Sequence, residues 1–473
     1  MSNLDFIDEA YRDSIATVDS EGKRIWVFPK KPSGKYHNYR ILTTIVFLTL
    51  FFAGPFVKIN GQPLLMINVF ERKFVLFGQL FLPQDSVIFS VGLITFFIFI
   101  TLFTVVYGRF WCGWACPQTV FMEMVFRKIE YWIEGDRKQQ LALSKAPWTT
   151  EKILKKGAKR LIYLLISILI AHTTMAYLIG LDATVGIISQ SPANHLPGFI
   201  GLLAFTAVFY YVFAKLREQV CVAICPYGRL QGVLMGRNTI NIIYDWVRGE
   251  PRGKLNKHEP ANQVAAPKGD CIDCKLCVQV CPTGIDIRNG SQLECINCTA
   301  CIDVCDDVMT KINKPTGLIK YGSAESVEKR IPYKMSPRAY AYSVVLLLLV
   351  GVEVFLLMSR SVIETTIMRV PGQMYQEQAN NKISNLYNAQ IVNKSNEDLV
   401  VTLKVGDNAG NIRLIDGKKS IRIKKEGKAD VVFFLDMNKA DIKKIKTSLE
   451  IEVWEGEEKL ETIKTNFLGF KDN

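Results

Sequence analysis

Up to about residue 358, long apolar runs alternate with short charged stretches; beyond that the pattern changes to a two-residue alternation. Five runs predict transmembrane helices, at 41–57, 87–107, 161–181, 198–213 and 340–358. The second, third and fifth have the length needed to cross the hydrocarbon core. Gly54-Pro55 interrupts the first, and the fourth is short. Between the first two, the stretch 63–83 sets apolar residues on either side of Glu71, Arg72 and Lys73. Those charges make it a poor span, and it is expected to lie in the interface on the outer face. From about Lys382, period-two segments predict strands at 384–393, 399–405, 412–415, 420–424, 429–435, 449–454 and 460–467. Turn signals separate them, among them Asp416-Gly and Glu455-Gly. So many short strands with such turns predict an immunoglobulin-like β-sandwich, and it holds no cysteine.

Charge orients the spans. The loop 108–160 is rich in Lys and Arg, including Arg109, Arg127 and Lys128, whereas 182–197 has neither. The positive-inside rule then places the N-terminus and the insert after the fourth span in the cytoplasm, and everything after the fifth span outside. The net charge of +13 therefore reads as cytoplasmic loops and not as a nucleic-acid surface. No cleavable signal peptide is expected, because the first forty residues are polar and charged. The expected organisation is a cytoplasmic segment (1–40), a four-helix membrane part (41–216), a cytoplasmic loop (217–338, with a cluster-binding core at 265–312), a fifth span (339–358) and an outer domain (380–473).

All twelve cysteines lie between Cys112 and Cys305, in tight groups and not in the dispersed pairs of a disulfide framework. CxxCxxCxxxCP uses Cys271, Cys274, Cys277 and Cys281; a second run uses Cys295, Cys298, Cys301 and Cys305. This is the two-cluster ferredoxin spacing, in which the fourth cysteine of each run ligates the other cluster. Cluster one is assigned to Cys271, Cys274, Cys277 and Cys305, and cluster two to Cys295, Cys298, Cys301 and Cys281. Structural zinc would have no use for the third evenly spaced cysteine and the CxxxC tail, repeated twice. Cys305 departs from the pattern, being followed by Asp306 where Pro282 follows Cys281.

Four cysteines remain, in two CxxxCP motifs: Cys112 with Cys116, and Cys221 with Cys225. Each stands at the cytoplasmic end of an inward-running span. If helical, each pair shares a face, and Pro117 and Pro226 loosen the helix at the second thiol. Such pairs suit three uses: ligands for a soft ion such as Cu(I), a dithiol–disulfide couple, or small buried hydrophobes. Arg109, Arg217 and Arg229 nearby are expected to favour thiolates. Only four histidines occur, with His172 alone inside a span, so integral haem is not expected. His172, Met122 and Met124 are read as packing residues.

The order of five spans, WCGWACPQ, CVAICPYGR, the ferredoxin insert and the sandwich closely resembles the cytochrome c oxidase accessory proteins called CcoG, FixG or RdxA. GKRIWVFPK at 22–30, GQLFLPQD at 78–85 and NAQIVNK at 388–394 look like that family too. The resemblance implies a bacterial inner-membrane protein that carries two 4Fe-4S clusters and reduces Cu(II) to Cu(I) for assembly of a cbb-type oxidase. Its expected partners are the bilayer, oxidase assembly factors or copper carriers, and an electron donor that spacing does not name. Cys112, Cys116, Cys221 and Cys225 become the copper-handling candidates. Two other readings share these motifs: a quinol-linked respiratory subunit, and a non-enzymatic copper chaperone or scaffold.

Overall fold

The computed structural model describes residues 17–19, 21–59, 61–81, 85–254, 269–359, 361–372, 374–378, 381–395, 397–406, 410–425, 427–442 and 444–469. Parts of the expected N-terminal segment (1–16 and 20) and of the cluster-binding core (265–268) lie outside the described residues. The chain divides into two compact units, Met1–Pro55 with Ser90–Gly351, and Phe56–Phe89 with Val352–Asn473.

Five helices are long and apolar enough to cross a membrane: Lys35–Phe56, Ser86–Tyr107, Thr150–Ile179, Leu196–Leu216 and Pro337–Met358. The third begins well before its apolar run. Its 30 residues at 1.5 Å rise span about 45 Å, longer than the hydrocarbon core. The Thr149 hydroxyl accepts from Lys152 N at the start, and the first turns carry Lys152, Lys155, Lys156 and Lys159. The fourth extends past its expected end through a π-helical turn, Val212–Leu216.

Gly54-Pro55 does not break the first span prematurely, because the third span supplies what proline removes. Pro55 has no N–H for the Phe51 carbonyl. The Tyr177 hydroxyl donates to Phe51 O (3.0 Å) and also to Leu50 O (3.1 Å). A Cβ on residue 54 would sit 2.1 Å from that hydroxyl, so the glycine makes room for the replacement donor.

The second unit holds two features. The stretch expected to lie in the interface is instead an antiparallel β-meander, Leu65–Asn68, Lys73–Leu76 and Gln79–Phe81. Glu71 and Arg72 occupy the first turn. Phe77 and Gly78, both at positive φ, make the second. Val75, Leu80 and Phe81 are buried, so the charges mark a hairpin tip and not an interruption in a surface helix. The other feature is the immunoglobulin-like sandwich. One sheet runs Asn411–Leu414, Lys428–Asn438, Lys382–Asn393, Ile363–Arg369, with Gln376–Gln378 also on Lys382–Asn393; the other runs Ile421–Ile423, Leu399–Val405, Lys446–Glu455, Glu458–Leu468. Ile363–Arg369 and Gln376–Gln378 precede the expected start at 380. Tyr387 stacks on Phe433 and donates to Asn466 O (2.9 Å), joining the two sheets. Lys394 is buried between Asp85 (2.5 Å) and Glu364 (2.8 Å), which ties the sandwich to the meander's exit.

Candidate redox centre

The twelve cysteines fall in the first unit. The strands Asn241–Tyr244 and Ile319–Gly322 pair antiparallel, and the helices Leu276–Val280 and Ala300–Lys311 pack beside them. Each cysteine run makes the same backbone zigzag. Asp273 and Lys275 in one, and Asn297 and Thr299 in the other, have positive φ on either side of the central cysteine. Successive turns of this kind aim backbone N–H groups into a concavity that suits an anionic group.

Two cavities result. Cys271, Cys274, Cys277 and Cys305 line one, with Tyr244, Arg288 and apolar side chains. Cys277, Cys281, Cys295, Cys298 and Cys301 line the other, with Ile242, Ile285, Ile287 and Ile296. Cys305 lies with the first run's cysteines and Cys281 with the second run's, and Cys277 borders both cavities. Among the described residues no three His, Cys, Asp or Glu side chains converge on one ion-sized point. The eight thiols surround two spaces. Burial pushes the thiols up, Cys277 and Cys305 to about 12 and Cys298 to about 11. A metal core bound there would have to displace those protons. The Tyr244 hydroxyl is buried against the Cys271 thiol and Glu250, placed to donate to a thiolate. Cys274 alone among the twelve is exposed.

The missing proline after Cys305 has a structural effect. Pro282 follows a helix that stops at Val280, with Cys281 extended. At Cys305 the helix runs on to Lys311. Asp306 accepts from Gly317 N (2.8 Å). Asp303, on the same helix, accepts from Tyr36 N (3.0 Å) and His37 N (2.8 Å), capping the first span.

The CxxxCP motifs share a design. The helix Phe110–Trp114 ends, Cys116 is extended at ψ 124°, and Pro117 starts the next helix. The π-helical turn Val220–Ile224 ends, Cys225 is extended at ψ 111°, and Pro226 starts Pro226–Leu234. Proline excludes its predecessor from the α region and is itself suited to the first helical position. Both motifs pack on the cluster-binding fold. Arg109 donates to Leu293 O and Gly228 O. A Cβ on Gly113 would lie 2.4 Å from Ile296 O, so the backbone between the first two thiols rests on the Cys295–Cys298 loop. Buried Arg40 donates to Gly113 O (3.0 Å) and Cys298 O (3.1 Å). Trp114 Nε1 donates to Tyr321 Oη (3.0 Å), which donates to Asn297 O (3.3 Å).

At Cys112 and Cys221 burial opposes the expected thiolate. Burial, with Cys116 adding to it, pushes Cys112 to about 11 despite Arg109, and burial takes Cys221 to about 12. Arg217 is engaged elsewhere, as described below. Met122 packs among Phe121, Phe126 and Phe213, Met124 is buried, and His172 Nδ1 lies 2.7 Å from Ile168 O, all consistent with packing roles.

Comparison with known proteins fits this layout. Residues 216–324 match the 4Fe-4S dicluster domain, 89–138 a 4Fe-4S binding domain, and 354–469 the IG-like fold at the C-terminus of FixG. Protein RdxB of Cereibacter sphaeroides is 36% identical over 391 residues, 79% of this chain and 80% of its own length. Protein RdxA of the same organism is 33% identical over 84% of this chain and 86% of its own. The chain belongs to the FixG/RdxA family. The nitrogen fixation protein FixG of Rhizobium meliloti is 35% identical over 64% of this chain and 58% of its own. This FixG/RdxA-family member is thus an iron–sulfur oxidoreductase with five apolar helices and an immunoglobulin-like domain.

One part of the FixG/RdxA-type site escaped sequence reasoning. Arg217, at φ 55° between two π-helical turns, grips Glu130 with both terminal nitrogens (2.9 and 2.8 Å). Glu130 also meets Lys159, and Glu134 meets Lys156 and Lys159. Glu218 reaches Arg24 (2.6 Å), Arg127 (3.7 Å) and Arg217 (3.5 Å), while Arg127 holds Glu123 (2.9 Å). Arg127, Arg217, Glu130, Glu134 and Glu218 are all buried. Burial alone would raise the Glu130 carboxyl, but Arg217, Lys159 and Arg127 outweigh it and hold it at about 2. This network fixes the segment that leads into Cys221. The acidic pair Glu130 and Glu134, one helical turn apart, and the Arg217-Glu218 dipeptide before the second motif were the available signals.

Proposed function

We propose that this protein is a cupric reductase that supplies Cu(I) for assembly of a cbb-type cytochrome c oxidase. The observation that carries the reading is the packing of Cys112 and Cys221 against the cluster that holds Ile296 and Cys298, with Gly113 seated on the Cys295–Cys298 loop: soft-metal ligands stand beside a cluster-binding fold. Cys271, Cys274, Cys277 and Cys305 hold one 4Fe-4S cluster and Cys281, Cys295, Cys298 and Cys301 the other; such clusters supply single electrons, the unit that Cu(II) takes on becoming Cu(I). Exposed Cys274 gives the first cavity its face toward a one-electron donor. Cys112, Cys116, Cys221 and Cys225 receive copper, and thiols favour its reduced form. Oxidase assembly factors or copper carriers take the product.

Purified anaerobic protein is expected to carry about eight iron atoms and eight sulfides. Once pre-reduced, its clusters should reoxidise on addition of Cu(II), with one Cu(I) formed per electron lost. Reoxidation by a quinone with none by Cu(II) would favour a respiratory subunit and sink the reductase.

The cysteine motifs and the N-terminus face the cytoplasm and the sandwich faces the periplasm of the inner membrane. Reporter fusions after Lys145 should be active only in a cytoplasmic reporter, and fusions after Met358 only in a periplasmic one. The reverse pattern would overturn the orientation.

A further inference from the structure

We infer that Lys31, His37, Arg40 and Lys128 form a binding site for a phosphate group, carried on an anionic lipid headgroup or free, at the start of the first span. The inference is independent of the copper reading.

The four residues come from three pieces of chain. Lys31 belongs to the strap before the first span, His37 and Arg40 to that span's first turns, and Lys128 to the helix Arg127–Ile133. The strap is pinned from several sides. The Tyr131 hydroxyl donates to Pro29 O (3.2 Å) and Lys30 O (3.4 Å), Lys30 N donates to Gln279 O (2.8 Å), and Lys31 N donates to Asp136 (2.8 Å). Lys128 and Tyr131 are three apart on one helix and share a face, so Lys128 stands over the same strap. Arg40 is fixed by Gly113 O and Cys298 O. Lys128, Arg40 and Lys31 all lie within electrostatic reach of the His37 ring.

Two observations point to an anion. The first is that the cations meet without a counter-ion. Among the described residues no carboxylate pairs with Lys31, Arg40 or Lys128. The acids nearby are committed to backbone: Asp136 to Lys31 N, and Asp303 to the N–H groups of Tyr36 and His37. Burial, then Arg40 and Lys31, push the Lys128 ammonium below its ordinary value, as like charges held together do. The second is that His37 Nδ1 is buried with no partner, and an unpaired buried polar atom is costly. A phosphate answers both. Its oxygens accept from the two ammonium groups and the guanidinium, and from the Nδ1–H tautomer of the imidazole. Because Asp303 already takes the first-turn N–H groups, side chains alone make the site. Position favours a lipid as the source. Tyr39, Leu42, Ile45 and Val46 are exposed along the same span, and Lys35 lies over the Tyr39 ring (6.0 Å), an aromatic anchor suited to the headgroup layer.

The test is equilibrium binding to cluster-loaded protein in a neutral detergent. The probes are short-chain phosphatidylglycerol, inorganic phosphate, and a diacylglycerol without phosphate as control. One saturable equivalent of phosphatidylglycerol is expected, with no saturable binding of the control. Competition by millimolar inorganic phosphate would assign the site to the free anion as well, and its absence would assign it to the headgroup; either result supports the site. Saturable binding of neither phosphate probe overturns it. In Lys31→Gln/Lys128→Gln the affinity should fall about 10–100-fold with iron content unchanged. Lys138→Gln/Lys145→Gln removes the same charge from Arg137–Lys145 and should leave the affinity as it was. An equal loss in both pairs would mean diffuse attraction to a basic surface and overturn the inference. His37→Leu should weaken binding about tenfold; an unchanged affinity takes the ring out of the site and refutes the assignment. Lys31 and Lys128 are exposed, so the lysine pair still decides if the His37 variant fails to fold.

Discussion

A Cys298→Ala protein is expected to contain about half the normal iron and sulfide, because a set of four thiols with one missing no longer holds its cluster. Cys298 is buried, lines the second cavity with Cys281, Cys295 and Cys301, and offers its carbonyl to Arg40. Copper reduction should fall to background, since the emptied cavity is the one whose loop packs against the first CxxxCP motif. Cys274→Ala, at the exposed edge of the other cavity, should lose the other half and reduction with it, with a smaller drop in Tm because no buried side chain leaves a void. Iron and sulfide analysis beside a reduction assay on the same preparations checks both. Full iron in either variant would show that the eight cysteines are divided wrongly.

The second large effect is on stability. Glu130→Gln removes the charge that Arg217 holds with two hydrogen bonds and leaves that buried guanidinium without its main partner. Breaking a buried pair on one side costs about 3–5 kcal/mol, so Tm at pH 7 should drop by several degrees. The pH dependence has a defined sign. The Glu130 carboxyl is held at about 2 against an ordinary value of 4.5. Its stabilisation is therefore fully present above pH 4.5 and is lost as pH falls from there toward 2. The Tm gap between parent and variant should be constant from pH 7 to 5 and narrow below that. Thermal unfolding in detergent across pH 7 to 3 measures it; a gap that widens toward low pH would contradict the assignment.

The spans, the ferredoxin-type cysteine runs and most of the sandwich were legible because each is written in local periodicity or spacing. What was not legible depended on partners distant along the chain. The stretch 63–83 looked like one apolar segment with charges inside it; the paired positive φ values of Phe77 and Gly78 turn it into a meander, and Phe-Gly is a weak turn signal. Ile363–Arg369 followed a span too closely to stand out as a strand. Arg127 and Arg217 counted as marks of the cytoplasmic side and as activators of thiols, whereas they are buried and matched to Glu123, Glu130 and Glu218. The meeting of the two CxxxCP motifs has no signature in either motif alone. Gln231, on Pro226–Leu234, accepts from the Cys112 S–H (3.4 Å) and is an ordinary helix residue in sequence.

The cap on the first span sets an order of assembly. Tyr36 and the Asp303 carboxylate that receives its N–H are 267 residues apart, and Arg40 waits almost as long for the Cys298 carbonyl. At about 5–20 residues per second, the ribosome makes Asp303 some tens of seconds after the first helix has emerged. The first four spans are therefore synthesised while the cytoplasmic end of the first still lacks its lasting partners. Those partners arrive only when the segment around Cys295–Cys305 has folded, and that folding is coupled to loading with iron. In an iron-starved cell the newly made protein would sit in the membrane with this end uncapped, open to proteolysis just where the finished molecule is sealed.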